Sequence, residues 1–249
     1  MDWTLHGGKH PELALLVITV TLAFMIYWFA VEHQRIRSWL QARFTARAGA
    51  LAWFIGNKLT GTVLFGLAVP VVMVLLFPDM SLAASGFALP VAGTSWTLAL
   101  VLTGVLASVS WIKNKRIHAT GGDFGRYPEI ETEEWTWRTV VLDVLFWMLY
   151  LLAYEYMFRG VLLLTCAASL GFPVAVGLNV ALYALAHVPK GAQEAFGALV
   201  LGYVLCVLTF ASSSILFAWM IHCALAIAND LSAWYYRPDM RFTRRRTLR

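Results

Sequence analysis

The sequence has few charged residues: Asp, Glu, Lys and Arg together make up 13% of the chain, about half of their share in a typical soluble domain. Hydrophobic residues make up 60%. This composition excludes an ordinary soluble domain and indicates an integral membrane protein. The net charge of +5 does not indicate nucleic acid as a partner, because the basic residues are spread over short segments between apolar runs.

Cysteine is also scarce. The three cysteines, Cys166, Cys206 and Cys223, form no CxxC pair. This excludes a disulfide framework and a cysteine zinc knot. Each cysteine is predicted to be a small apolar side chain inside the protein. No internal repeat is visible, and a transporter, which often has one, is therefore the weaker of the membrane alternatives.

Long apolar runs dominate what is present. Residues 13–31, LALLVITVTLAFMIYWFAV, contain no charge, and about 20 such residues cross a bilayer as a helix. The sequence predicts an all-α, polytopic membrane helix bundle of about seven transmembrane helices. The predicted spans are 12–31, 50–77, 93–112, 139–165, 173–188, 195–210 and 214–235. Lys58 and Pro70 indicate that the second span is kinked or begins as a surface helix.

Basic residues lie in alternate connections between the spans. They occur in 32–49, in 113–126 and in the tail, whereas 78–95 and 166–172 contain no Lys or Arg. The positive-inside rule then predicts an N-terminus outside and a C-terminus in the cytoplasm of a cell inner or plasma membrane. We predict one integral membrane domain, 1–249, with N-terminal helices at 1–118, a cytoplasmic loop at 119–138, a core at 139–235 and a basic tail at 236–249. The sequence assigns no oligomeric state.

Ionisable side chains interrupt the apolar runs of the C-terminal half. In AYEYMFRG (153–160), Glu155 and Arg159 are four residues apart and share one helical face. His187 and Glu194, and likewise His222 and Asn229, are seven apart, with Asp230 adjacent. Such residues are costly in a membrane and usually face a cavity or a partner. Three segments therefore offer polar stripes to a shared interior.

Two kinds of chemistry fit these stripes. Two histidines with a carboxylate can hold zinc with an open coordination position, and a buried glutamate can activate water without a metal. The structural alternatives are that Glu155 and Arg159 only neutralise each other, and that the histidines only join helices by hydrogen bonds. Asp143 is expected at the membrane interface, near the start of its span.

Taken in order, these residues resemble the CPBP family of intramembrane proteases, named for CAAX proteases and bacteriocin-processing enzymes. The family pattern EExxxR–Gly corresponds to Tyr154-Glu155-x-x-x-Arg159-Gly160, and its aromatic-xxx-His corresponds to Tyr183-x-x-x-His187. The third part is His222 with Asn229 and Asp230 downstream. The similar motif EEWTWR at 133–138 lies in the predicted loop and is interpreted as a solvated helix start.

The sequence departs from the family pattern at two positions. Tyr154 replaces the first glutamate, and Ala226 lies where an asparagine is usual. The stretch HVPKGAQE resembles a variant branch in which Glu194 supplies the missing carboxylate. Asn229 or Asp230 would then supply the missing polar partner.

The resemblance implies an intramembrane endopeptidase whose substrate is a membrane-anchored, tethered or lipidated protein segment beside the lipid bilayer. The CAAX label is not carried over to this chain, because the resemblance assigns prenylated substrates to other members of the family. It implies Glu155 or Glu194 as the base, Arg159 as the residue that orients Glu155, and His187 and His222 as oxyanion donors. If a divalent metal such as zinc is bound, its ligands would be Glu155, His187 and His222.

Two questions stay open from the sequence. A catalytically inactive pseudoprotease, acting as a membrane binding or scaffold protein, is the alternative function. The predicted depths of Glu155, His187 and His222 also differ. Either 173–200 is a kinked or re-entrant element that brings His187 deeper, or these residues do not form one site.

Overall fold

The computed structural model describes residues 11–32, 34–78, 84–91 and 96–243. In these residues seven helices are long and apolar enough to cross a membrane, which confirms the predicted fold class and makes the chain a multi-pass membrane protein. The spans run over Pro11–Leu40, Ala46–Leu76, Trp96–Thr120, Trp137–Leu170, Phe172–Lys190, Ala192–Ser212 and Leu216–Tyr236. Parts of the predicted connections and of the basic tail lie outside the described residues, namely 79–83, 92–95 and 244–249. The last of these ranges is the RRRTLR end of the tail.

Several spans consist of more than one helical element. The α-helices are α1 Pro11–Ile26, α2 Gln34–Arg43, α3 Ala46–Val63, α4 Val69–Leu76, α5 Trp96–Thr120, α6 Trp137–Glu155, α7 Thr165–Leu170, α8 Phe172–Leu185, α9 Ala192–Ser212 and α10 Leu216–Tyr236. Wider π-helical turns follow α1, α3 and α6, at Tyr27–Val31, Leu64–Ala68 and Tyr156–Leu164. The second of these turns lies just before Pro70, which has no backbone N–H to continue an α-helical ladder.

The sides of the helices show why the chain needs a bilayer. Helix α5 buries only Ala99, Ser110 and Asn114. Several of its large apolar residues, Leu100, Val101 and Ile112 among them, are more than half exposed. In water this surface would be unstable, but against lipid tails it needs no cover.

The helices form two compact units. Of the described residues, the first comprises 11–27, 63–78, 84–91 and 153–218, and the second comprises 28–32, 34–62, 96–152 and 219–243. Both units combine segments from the N-terminal and C-terminal halves of the chain. The predicted division into 1–118, 119–138, 139–235 and 236–249 runs along the sequence and stays a prediction.

In the first unit, helices α8 and α9 form a hairpin. A short 3₁₀ turn, Val188–Lys190, follows α8, and Gly191 adopts φ +108°, a conformation that favours glycine, before α9 begins. The helical path is therefore interrupted within 173–200, and the expectation that this element brings His187 deeper stays a prediction. The segment 84–91 is tied to the end of this hairpin, because Val91 N donates to Ser212 O at 3.0 Å.

In the second unit, polar side chains join helices that are far apart in sequence. Asn114 on α5 donates to the Asn229 backbone carbonyl at 3.0 Å and to Ser232 Oγ at 2.7 Å. Two short parallel strands, β1 Glu134–Trp135 and β2 Arg241–Phe242, pair beside α10. Within the EEWTWR motif, Glu134 and Trp135 form β1 and Trp137 begins α6, so the two glutamates precede the helix rather than start it. Glu134 forms an exposed ion pair with Arg241 at 2.7 Å.

Candidate functional site

The predicted motif AYEYMFRG lies where α6 widens into a π-helical turn. Glu155 is the last residue of α6, and Arg159 lies in the turn Tyr156–Leu164. Residues 156–163 are all buried. π-Helical turns interrupt regular helices at some cost and occur frequently at functional sites. This turn could not be predicted from the sequence, in which 156–164 continue the apolar run of α6 apart from Arg159 and Gly160.

Glu155 and Arg159 form an ion pair with no exposed surface. Arg159 Nη1 lies 3.2 Å from Glu155 Oε2 and 3.4 Å from Oε1, and both side chains are 0% exposed. This confirms the contact that the four-residue spacing predicted. Two charges in such a place are expensive unless they are paired, so the pairing explains why an apolar chain carries both.

Tyr183 holds the other side of the Arg159 guanidinium. The guanidinium carbon lies 4.0 Å from the centre of the Tyr183 ring, as in a cation–π interaction. A Cβ at Gly202 would lie 2.9 Å from this ring and 3.7 Å from Arg159 Nη2. The missing side chain at 202 therefore lets α9 come close to the pair. Arg159 Nε and Nη2 have no hydrogen-bond acceptor among the described residues.

His187 is connected to the same group through Tyr183. Its Nδ1 lies 2.8 Å from the Tyr183 backbone oxygen, and the two rings are 4.6 Å apart. Because a carbonyl oxygen only accepts, Nδ1 carries the proton in this bond and the neutral ring has its lone pair on Nε2. The first unit thus brings Glu155, Arg159, Tyr183 and His187 into one connected group.

Tyr154 occupies the place of the family's first glutamate and is 4% exposed. Its ring packs at 4.8 Å from Phe158, 5.8 Å from Phe65 and 6.0 Å from Tyr183, measured between ring centres. These are the distances of favourable aromatic pairs. Tyr154 is therefore part of an aromatic cluster that adjoins the ion pair.

Glu194 lies in the first turn of α9 and is partly exposed. Its carboxylate interacts electrostatically with the Tyr183 hydroxyl, as does that of Glu155. A carboxylate in the first turn is also favoured by the helix dipole. Its role as a second base stays a prediction.

The remaining predicted residues belong to the second unit. His222 is buried on α10. Asn229 Oδ1 accepts a hydrogen bond from Asn114 Nδ2 at 3.2 Å. The Asp230 carboxylate accepts from Trp147 Nε1 at 3.0 Å and from the Glu129 backbone N–H at 3.2 Å. Asn229 and Asp230 thus join helices within their unit, and their supporting role at the site stays a prediction.

A second buried charged group was not predicted. Lys58 is 2% exposed, and its ammonium lies 2.7 Å from the Glu129 carboxylate and 3.3 Å from the centre of the Trp147 ring. Asp143, expected at the membrane interface, has no exposed surface and interacts with Asp230. Neither Asp143 oxygen receives a hydrogen bond from the described residues.

The proposed zinc ligands fit a metal only in part. A histidine whose Nδ1–H is held by a backbone carbonyl is typical of metal ligands, and His187 has that arrangement. Glu155, in contrast, is already paired with a guanidinium. The described residues contain no group of three His, Cys, Asp or Glu side chains arranged to hold a metal ion. Glu155 and His187 belong to one unit and His222 to the other, so this ligand set stays a prediction.

Comparison with known protein families supports the resemblance. The family model described as "Type II CAAX prenyl endopeptidase Rce1-like" matches residues 135–228, which are 94 of the 249 residues. The predicted resemblance to CAAX proteases is confirmed. No curated protein and no solved structure matches the chain. The matched region includes every predicted site residue except Asn229 and Asp230.

Proposed function

We propose that this protein is an intramembrane endopeptidase that hydrolyses a peptide bond in a membrane-associated (tethered or lipidated) protein with a Glu/His site, because residues 135–228 match the family model of a CAAX-type endopeptidase. The observation that carries the proposal is the buried Glu155–Arg159 pair, which is connected through Tyr183 to His187. A structural ion pair needs no histidine beside it, whereas water activation needs a carboxylate and a second polar group close together.

Each residue has a defined role in this mechanism. Glu155 accepts a proton from water as the water oxygen attacks the substrate carbonyl carbon, and later gives that proton to the leaving amine. Arg159 orients Glu155 and holds its charge, and Glu194 is the second candidate for the base. His187 and His222 are the proposed hydrogen-bond donors to the developing oxyanion. A zinc ion, held by Glu155, His187 and His222 when bound, would supply Lewis-acid activation of water.

The family description widens the proposed substrate class. It names a prenyl endopeptidase, so a prenylated protein tail joins the tethered and acylated segments as a candidate. A lipid anchor would hold the substrate at the membrane that the seven apolar helices cross, which raises its concentration near the site.

The first experiment measures cleavage by purified protein in liposomes. Three peptides of one sequence would be compared: prenylated, acylated and unmodified but anchored by a helix. The variants are Glu155→Gln, His187→Ala, Glu194→Gln and His222→Ala, and Glu134→Gln is the matched control because Glu134 is an exposed glutamate paired only at the surface. Bound zinc is measured on the same samples, and cleavage is repeated with a chelator.

We expect the Glu155 and His187 variants to lose at least about 100-fold in rate and Glu134→Gln to keep the wild-type rate. Cleavage that survives Glu155→Gln and Glu194→Gln together would refute the Glu/His site. A pseudoprotease is favoured by the tight packing of Tyr154 where the family has glutamate. Binding of an anchored peptide without any cleavage would establish that alternative.

We also propose the orientation predicted from the basic connections, with the N-terminus outside and the C-terminus in the cytoplasm of a cell inner or plasma membrane. Reporter fusions at residue 121 and at the C-terminus should both report a cytoplasmic position. A reporter at residue 86 should report the outer side, and the opposite pattern would reverse the orientation.

A further inference from the structure

Asn179 is a polar residue without any exposed surface in the apolar helix α8. Its Nδ2 donates a hydrogen bond of 2.5 Å to the backbone oxygen of Phe158. Its Oδ1 accepts a bond of 3.2 Å from the Cys206 thiol on α9. One amide therefore connects α8, α9 and the π-helical turn after α6. Burying an amide in this environment is costly unless both of its ends are satisfied, as they are here.

The acceptor is well placed to control the site. The oxygen of Phe158 and the nitrogen of Arg159 belong to the same planar peptide group, so a bond that fixes one fixes the orientation of the other. This peptide lies inside the turn Tyr156–Leu164. A π-helical turn has poorer geometry than an α-helix, and an additional bond to one of its carbonyls helps to keep it wide.

The donor helix carries the other half of the site. Asn179 precedes Tyr183 by one helical turn on α8. Tyr183 stacks on Arg159 and receives the His187 Nδ1 bond through its backbone oxygen. Asn179 thus connects the Arg159 peptide to α8, which carries Tyr183 and is followed by His187.

We propose that Asn179 is a positioning residue for the Glu155–Arg159 pair: its amide keeps the π-helical turn wide and Arg159 in register with Tyr183. This inference rests on the proposed function for its effect on catalysis, although not for its effect on the turn. Without the amide, the turn can relax toward an α-helix. Each residue of change in register rotates the side chains that follow by about 100°, which would separate Arg159 from Tyr183.

Two substitutions test the role of the amide. Asn179→Leu has nearly the same shape and cannot form hydrogen bonds. Asn179→Asp keeps the shape and the acceptor, but it can donate to Phe158 O only when the carboxyl is protonated. Cys206→Ala is the matched control, because it removes the weak thiol bond to Asn179 Oδ1 and leaves the bond to the Phe158 carbonyl.

The first readout does not depend on activity. Amide hydrogen exchange is followed by mass spectrometry in liposomes for 156–164 and, as an internal reference, for 216–236. In both Asn179 variants we expect exchange in 156–164 to rise about tenfold or more while 216–236 is unchanged. In Cys206→Ala, both regions should exchange as in the wild type. Unchanged exchange at 156–164, or an equal rise in both regions, would overturn the proposal.

The second readout is the rate of cleavage of an anchored peptide. We expect kcat to fall about 10- to 100-fold in Asn179→Leu with KM within about twofold, because small displacements of catalytic groups reduce rates by such factors. Asn179→Asp should recover part of its kcat as the pH falls, whereas Asn179→Leu should not. A wild-type kcat in Asn179→Leu would contradict the positioning role. If the wild type cleaves nothing, the proposed function fails, and the exchange experiment alone decides whether Asn179 fixes the turn.

Discussion

Gly160, the glycine after Arg159, is a position where the structure leaves no room for a side chain. A Cβ added there would lie 2.4 Å from the Ser85 backbone oxygen and 2.9 Å from Tyr156 Cδ2. An ordinary carbon–oxygen contact is about 3.3 Å or longer, so Gly160→Ala would have to move the Ser85 backbone by about 1 Å. That backbone is held in place, because Ser85 Oγ and the Tyr156 hydroxyl are hydrogen-bonded at 3.0 Å.

The expected cost follows from these contacts. Overpacking of a buried position costs about 1–3 kcal/mol, and loss of the hydrogen bond adds about 1 kcal/mol. Replacing glycine by alanine in a helix returns about 0.5–1 kcal/mol. The net expectation for Gly160→Ala is a loss of about 1–3.5 kcal/mol, which corresponds to a decrease in Tm of roughly 2–14 °C for a chain of this length.

Thermal unfolding in detergent, followed by tryptophan fluorescence, measures this difference, since the chain contains 11 tryptophans. Gly197→Ala on α9 is the matched control, because a Cβ there would meet no atom within 4 Å. We expect Gly197→Ala to be neutral or to raise Tm slightly. If Gly160→Ala unfolds at the same temperature as Gly197→Ala, the explanation of the Arg–Gly motif by lack of space is wrong.

Three further substitutions test the buried charges by the same unfolding assay. Asp143→Asn should stabilise the protein by about 1–3 kcal/mol. The reason is that a buried carboxylate that receives no hydrogen bond becomes an amide that can donate to Asp230. A lower Tm would contradict this expectation. Lys58→Met should destabilise the protein by about 3 kcal/mol, since the Glu129 carboxylate loses its cation. Adding Glu129→Gln should recover most of this lost stability. If it does not, the broken ion pair is not the cause. Arg159→Met should cost about 3–5 kcal/mol, because its glutamate partner would remain buried and charged. An unchanged Tm in that variant would show that the partner is not charged in the folded protein.

The number of spans could be predicted from the sequence because the bilayer imposes a simple rule. A helix that crosses it needs about 20 residues with few charges, and composition and length reveal such runs without knowledge of the fold. The contact between Glu155 and Arg159 was predictable for a similar reason, since residues four apart share one face of any helix. Both predictions depend only on local sequence.

The buried groups outside these motifs depend on distant residues and could not be predicted. Asp143 and Lys58 are buried because of partners on other elements, and these partners are 87 and 71 residues away in sequence. Asn179 is an isolated asparagine in an apolar run, and its function appears only when the Phe158 carbonyl is seen beside it. The π-helical turn itself has no sequence signal, because it depends on how neighbouring helices satisfy its backbone groups.

Tyr154 stands where the family pattern has a glutamate, and the residues around it fit an aromatic ring. This environment bears on which residue acts as the base. Phe65, Phe158 and Tyr183 surround the Tyr154 ring. Phe65 and Phe158 offer a carboxylate no hydrogen bond, and an unpaired buried charge is costly, so the position is adapted to a ring and not merely deprived of an acid. Arg159, the cation of the motif, is engaged by Glu155 and Tyr183 instead. The arrangement therefore favours Glu155 as the carboxylate around which any catalysis by the first unit would be organised.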